Sequence, residues 1–201
     1  MPLPKTKDSK DRTVIKMSAA PSRRFVIAND NTVFYSGKTS KSYSLPDDQT
    51  KSAWTELKLS KESTFNDTSI VDVACGNHYT LFVTSKGNLY ALGGKFWDKI
   101  SQDGPDNKLG QVNLTEGWKA QRVWASYWKN ETNCIIEVLT SDNKTEYHSI
   151  GEAEFGLLGQ GSNEKGDKIK ESKLWGKLSL PEEVTKFKQI SMSGSHALAI
   201  D

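Results

Sequence analysis

A chain of 201 residues with 35% hydrophobic and 26% charged side chains can bury a core, but its apolar share suits short strands and long turns better than a helical bundle. The formal net charge of +2 hides an asymmetry, with +5 on residues 1–24 and −3 on the remainder, so the body is not a basic nucleic-acid surface. Two cysteines, Cys75 and Cys134, lie outside any C-x-x-C pair, which excludes a disulfide framework and points to a reducing intracellular compartment, cytoplasmic or nuclear.

The N-terminal segment, residues 1–22, is polar, basic and punctuated by proline. It lacks the apolar core of a signal peptide, and no stretch of the chain reaches membrane-spanning length. This composition predicts a disordered tail. Over residues 1–24 the longest basic run is only Arg23-Arg24, which makes the segment a weak nucleic-acid contact at most. The sequons at Asn66, Asn113, Asn130 and Asn143 are read as coincidence in a chain rich in Asn and Thr.

From residue 23 a repeat emerges. Residues 26–37 read VIANDNTVFYSG and residues 82–93 read FVTSKGNLYALG. Each is an apolar strand, a turn, and a second apolar strand that carries an aromatic, Tyr90 in the second copy, and ends in glycine. The turns Asn29-Asp30-Asn31 and Ser85-Lys86-Gly87 suit positive φ. Gly37 and Gly93 are 56 residues apart, and a looser copy with the turn Ser141-Asp142-Asn143 ends at Gly151, 58 residues further on. A second marker precedes the hairpin. Residues 70–81 (IVDVACGNHYTL) match residues 187–198 (FKQISMSGSHAL), which sets Gly76 and His78 beside Gly194 and His196.

These elements, together with Glu154-Phe155-Gly156-Leu157-Leu158-Gly159-Gln160-Gly161, resemble the repeat of the regulator of chromosome condensation family. The resemblance covers roughly residues 23–201 and implies an all-β fold, a β-propeller of four-stranded blades that the family closes with seven. The chain departs from the pattern at Leu92, where the family has tryptophan, and in residues 121–151, where Ser126-Tyr127-Trp128 replace the G-x-x-H element. The first repeat lacks its preceding G-x-x-H strand. At about 57 residues per repeat, the chain holds three to four blades. Residue 201 falls inside a hairpin, so the expectation is an incomplete propeller, a fragment truncated within a blade, with a homodimer or a second chain as other means of completion.

Motifs for chemistry are absent from this reading. His78 and His196 are expected to occupy one repeat position and to hydrogen-bond neighbouring backbone. His148 has no ligand-spaced companion, and residues 159–166 (GQGSNEKG) fail as a phosphate loop. No catalytic, cofactor or metal residues are assigned. Gly76, His78, Gly87, Tyr90, Gly93, Gly151, Gly156, Gly159, Gly194 and His196 are assigned to the structural repeat. Candidates for partner contact are Phe96, Trp97 and Lys99, expected in an inter-strand loop, with Trp128 and Lys129 at the end of a strand over residues 121–128.

The reading is therefore a non-catalytic interaction module that binds protein partners through blade loops. The resemblance implies two alternatives. One is a guanine-nucleotide exchange factor for a Ran-type small GTPase with chromatin association. The other is a regulatory propeller segment of a larger protein such as a ubiquitin ligase.

Overall fold

The apolar segments of the repeat are strands in the computed structural model, which describes residues 2–38, 50–57, 69–98, 100, 102–104, 109–126, 132–152, 156–163 and 165–201. The first sheet is β1 (Val14–Ala20), β2 (Arg23–Ala28), β3 (Val33–Lys38) and β4 (Thr50–Glu56). The second is β5 (Ile70–Cys75), β6 (Thr80–Thr84), β7 (Leu89–Leu92) and β8 (Leu109–Val112), with one helical turn, α1 (Gly94–Trp97), after β7. The third is β9 (Lys119–Ala125), β10 (Asn133–Leu139), β11 (Thr145–Glu152) and β12 (Glu171–Lys177). β13 (Gln189–Met192) and β14 (Ala197–Ile200) form a two-stranded fourth sheet. Neighbouring strands pair antiparallel in chain order, so the architecture is three complete blades and half of a fourth.

The turn chemistry explains why the hairpins close where they do. Asn31, Gly87 and Asn143 sit at φ of 62°, 84° and 60°, the left-handed region that Asn and Gly enter at least cost. In each hairpin two backbone bonds flank that residue, as with Asn31 N to Ala28 O and Ala28 N to Thr32 O, both 2.9 Å. The glycines ending the third strand of each blade are a second fixed point. Gly37, Gly93 and Gly151 lie at φ of 114°, 122° and 122°, where a Cβ would overlap the carbonyl oxygens of Ser22, His78 and Thr132.

Register also corrects two expectations about the N-terminus. Residues 14–20 are β1, the strand expected to be missing from the first repeat, so the predicted tail of residues 1–22 contains part of the first blade. Residues 2–13 lie against that blade: Leu3 packs on a cluster of Val26, Ala28 and Phe34, and the Arg12 guanidinium stands 5.1 Å over the Phe34 ring. Composition read this segment as tail because its few apolar side chains carry no period. Its partners are supplied by β2 and β3.

The apolar cores lie between blades. One joins Phe25, Ile27 and Tyr35 of the first blade to Val73, Phe82 and Tyr90 of the second. The next joins Tyr79, Leu81 and Val83 to Val123, Ile136 and Ile150 of the third. A third sets Ile135 and Tyr147 against Phe187 and Ile190. The first strands β1, β5 and β9 pack successively on one another. Burying a large apolar side chain at such an interface stabilises it by roughly 1.5–3 kcal/mol, so each blade leans on the next.

Candidate interaction surface

Each of the first two blades reaches forward to its successor with a polar side chain from one repeat position. The turn between the first two strands closes with Gly76 N to Tyr79 O (3.0 Å) in the second blade, Ser126 N to Asn133 O (2.9 Å) in the third and Ser193 N to His196 O (2.9 Å) in the fourth. Ala20 and Arg23 pair at the same place in the first. Arg23, Tyr79, Asn133 and His196 are therefore equivalent. Buried Arg23 donates from Nη2 to the Gly76 and Tyr79 carbonyls at 2.9 and 2.7 Å. The Tyr79 hydroxyl donates to Asn133 O at 2.6 Å. Burial raises the Tyr79 phenol well above its ordinary value, which keeps it a donor.

This equivalence corrects the pairing of His78 with His196. The histidines align in sequence, but register places Tyr79 opposite His196. His78 is instead half-buried, with Nε2 3.0 Å from Asn77 Nδ2. The G-x-H letters match because the fourth repeat carries its glycine one place later in the turn.

A second series sits on the first strands. Bulges at Ile15, Val71 and Gln121 interrupt the pairing with β2, β6 and β10, and beside each bulge stands a charged residue: Lys16, Asp72 or Arg122. Lys16 Nζ lies 2.8 Å from Asp72 Oδ1, and Asp72 Oδ2 accepts from Val123 N at 3.0 Å. Arg122 pairs with Glu137 and donates to the carbonyls of Phe187 and Lys188, the latter at 2.9 Å. The Glu137 carboxylate also accepts from the Tyr147 hydroxyl at 2.8 Å, and the Arg122 guanidinium is driven further towards its charged form by that carboxylate despite the opposing effect of burial. Three blades are thus joined by buried polar bonds as well as by apolar cores.

The fourth blade ends this series on an exposed face. Leu81 and Val83 of the second blade are 0% exposed, whereas Leu198 and Ile200, at the same register, are 70% and 57% exposed. His196, the last member of the donor series, is exposed beside them. Behind β14 runs a groove of about 320 Å³ floored by Ile135, Leu157, Leu180 and Phe187. A second, about 500 Å³, lies beyond β12 between Glu146, Lys177 and Val184. Glu146 bridges His148 Nε2 (2.9 Å) and Lys177 Nζ (2.6 Å), and Trp118 lies on buried His148, ring centroids 4.1 Å apart. Burial lowers the His148 imidazole below its ordinary value, although Glu146 pulls the other way.

The candidate contact residues fall elsewhere. Phe96 and Trp97 are 0% and 8% exposed, packed on Tyr79 and on each other in the core between the second and third blades, and so are not surface anchors. The turn α1 carries both rings inward, the former 5.4 Å from Tyr79. Lys99, Trp128 and Lys129 lie outside the described residues, as does the end of the expected strand over residues 121–128; β9 spans Lys119–Ala125. Trp124 is half-buried, with Arg122 4.9 Å over its ring. Among the repeat glycines, Gly76 would clash with the Tyr79 ring if it carried a Cβ, Gly194 is buried, and Gly87, Gly156 and Gly159 have positive φ. Tyr90 is buried in the core shared with the first blade. Cys75 and Cys134 are free and buried, which pushes both thiols up and out of nucleophilic range. Among the described residues no group of three or more His, Cys, Asp or Glu gathers, and no helix is long and apolar enough to cross a membrane. The donor series was missed because Arg, Tyr, Asn and His share only the ability to donate; aligning on Gly37, Gly93 and Gly151 would have found its first three members.

Blades of antiparallel strands packed face to face through such interfaces define a β-propeller, here a partial one. Its repeats are similar to those of the regulator of chromosome condensation proteins. The chain is 27% identical over 94 residues to Regulator of chromosome condensation of Xenopus laevis, a match covering 46% of this chain and 21% of that protein. Among solved structures, human WBSCR16 superposes with a TM-score of 0.67 at 16% identity, over 94% of this chain and 46% of that one. Prp20p of Saccharomyces cerevisiae, whose structure was described with its binding properties to Gsp1p and histones, gives 0.65 at 17% identity, over 94% and 41%. No family model matches the chain. The chain thus spans less than half the length of these relatives.

Proposed function

We propose that this chain is a macromolecular interaction module, binding protein partners through a rigid array of blades without bond-making chemistry of its own. The observation that supports this reading is the array itself, whose blades are tied by apolar cores and by buried bonds from Arg23 to the Gly76 and Tyr79 carbonyls, from the Tyr79 hydroxyl to Asn133 O and from Val123 N to Asp72. A scaffold held rigid in this way presents its inter-strand loops in fixed positions, which suits binding. A second reading, exchange factor for a Ran-type GTPase, draws support from the fold shared with Prp20p and the Gsp1p binding described for that protein. An exchange factor holds the nucleotide-free state and so speeds nucleotide loss.

One experiment separates the two. The 201-residue chain is titrated by interferometry against a Ran-type GTPase loaded with fluorescent GDP and against core histones, while GDP release is followed in parallel. Saturable binding to either, with unchanged GDP release, is the expected result. Release accelerated roughly tenfold or more moves the assignment to exchange factor. Absence of binding to both would sink the reading with these partners.

A further inference from the structure

The third strand of each complete blade carries a ring at one repeat position, and the third blade fills that position with a titratable one. Phe34, Tyr90 and His148 stand three residues before Gly37, Gly93 and Gly151. They lie opposite the fourth-strand residues Glu56, Gln111 and Lys177 respectively. Tyr90 belongs to the core shared with the first blade. His148 faces the joint between blades two and three, on the same side of β11 as Ile150. There Trp118 lies on the imidazole, ring centroids 4.1 Å apart. Trp118 and Leu114 belong to the connection over residues 113–118, between β8 and β9, and both are half-buried against the core of that joint. The rest of the connection, Asn113, Thr115, Glu116 and Gly117, is exposed. His148 therefore sits beneath the anchor of a surface loop.

We propose that His148 is an acid-released latch: neutral, it clamps Trp118 and the connection over residues 113–118 onto the joint; protonated, it lets them go. The ring is 4% exposed, its Nε2 donates to Glu146 Oε2 at 2.9 Å, and Nδ1 has no partner among the described residues. Neutral, Nδ1 is a bare lone pair. Protonated, it is a buried N–H that nothing accepts, on a ring that now carries charge. Water reaches Nδ1 when the Trp118 ring lifts. Attraction of the imidazolium to Glu146 and to the Trp118 face opposes release. That carboxylate is already shared with Lys177 Nζ at 2.6 Å, and burial outweighs its pull, so the imidazole sits below its ordinary 6.5. The released state thus binds the proton more readily, and the latch weakens as pH falls below 6.5. The other charges around the ring stay fixed. Lys177 and His148 hold the Glu146 carboxyl below the ordinary carboxylate range. β10 presents apolar Ile136 opposite the ring, and Lys144 and Asp142 before β11 pair with each other at 2.6 Å. Of the charged neighbours of Trp118 in sequence, Glu116 is exposed and the stem of Lys119 lies against Gly87. The latch is independent of the foreign partners considered above.

The test is hydrogen exchange of the full chain at pH about 7.5 and about 5.5, each rate referred to that of an unstructured amide at the same pH. The Trp118 amide, which donates to Thr115 O at 3.0 Å, is the reporter, and the amides of β6 and β7 are the reference. Acid is expected to lower protection at Trp118 by roughly threefold or more while the reference holds. His148→Phe, which installs the ring that Phe34 supplies in the first blade, should abolish that pH dependence. A dependence that persists in His148→Phe overturns the proposal, as does a Trp118 amide that acid leaves unchanged in wild type. Should the variant fail to fold, the assigned ring signals of His148 in the wild-type chain decide by nuclear magnetic resonance. Titration below 6.5 with the Trp118 ring signals moving in step supports the latch. Titration at or above 6.5, or a Trp118 ring that does not follow, overturns it.

Discussion

At Gly93 the backbone takes a φ of 122°, and the carbonyl of His78 occupies the place of a side chain. Two penalties would therefore meet in Gly93→Ala: the left-handed backbone, and displacement of the neighbouring strand. Gly166, at φ of 83° with nothing within 4 Å of the point a methyl group would occupy, carries the first penalty alone. Urea denaturation should show a loss of about 1 kcal/mol for Gly166→Ala and about 3 kcal/mol for Gly93→Ala. Equal losses would mean the close approach to His78 is no constraint. Such glycines are legible in sequence because a backbone requirement admits one residue type and so repeats as a letter. The donor position is not legible, because Arg23, Tyr79, Asn133 and His196 repeat a chemical capacity and not a letter.

The strand bulges act at the next scale. Ile15 and Val71 would read as core in a regular alternation, yet they are 54% and 45% exposed because the bulge displaces them. The neighbouring residue turns inward, which is how the carboxylate of Asp72 comes to lie between Lys16 and the amide of Val123. Asp72→Ala should leave that buried amide without its acceptor and cost about 2–3 kcal/mol. Hydrogen exchange should show Val123 losing protection by a factor on the order of 10 or more while β10 and β11 stay protected. Unchanged exchange at Val123 would remove Asp72 as the tie between the second and third blades. The helical turn α1 teaches the converse. Phe96-Trp97 after two glycines reads as an exposed loop, and only the packing of Tyr79 and the third blade shows both rings turned inward.

For the molecule as a whole, nearest-neighbour stacking makes stability uneven along the array. Among the described residues, blades two and three are packed on both sides, and the fourth packs on the third through β9 and the Ile135–Phe187 cluster. The strand β14 is exposed at all four positions, while β6 is buried at all five. Exchange measured by mass spectrometry should therefore find residues 187–201 exchanging about 100-fold or more faster than residues 79–92. Equal protection would mean that β14 is covered in solution.

By itself the sequence determined the all-β class, the blade repeat and its hairpins, because alternating apolar residues, turn residues of positive φ and strand-ending glycines are local requirements written in residue type. Tertiary structure decided how blades are joined and which surfaces remain. The equivalence of Tyr79 with His196, the inward turn of Asp72, the burial of Phe96 and Trp97, and the docking of residues 2–13 on Phe34 all depend on register and on neighbours distant in the chain. Contacts between faces of different blades have no period along the sequence, so they become visible only when the faces meet.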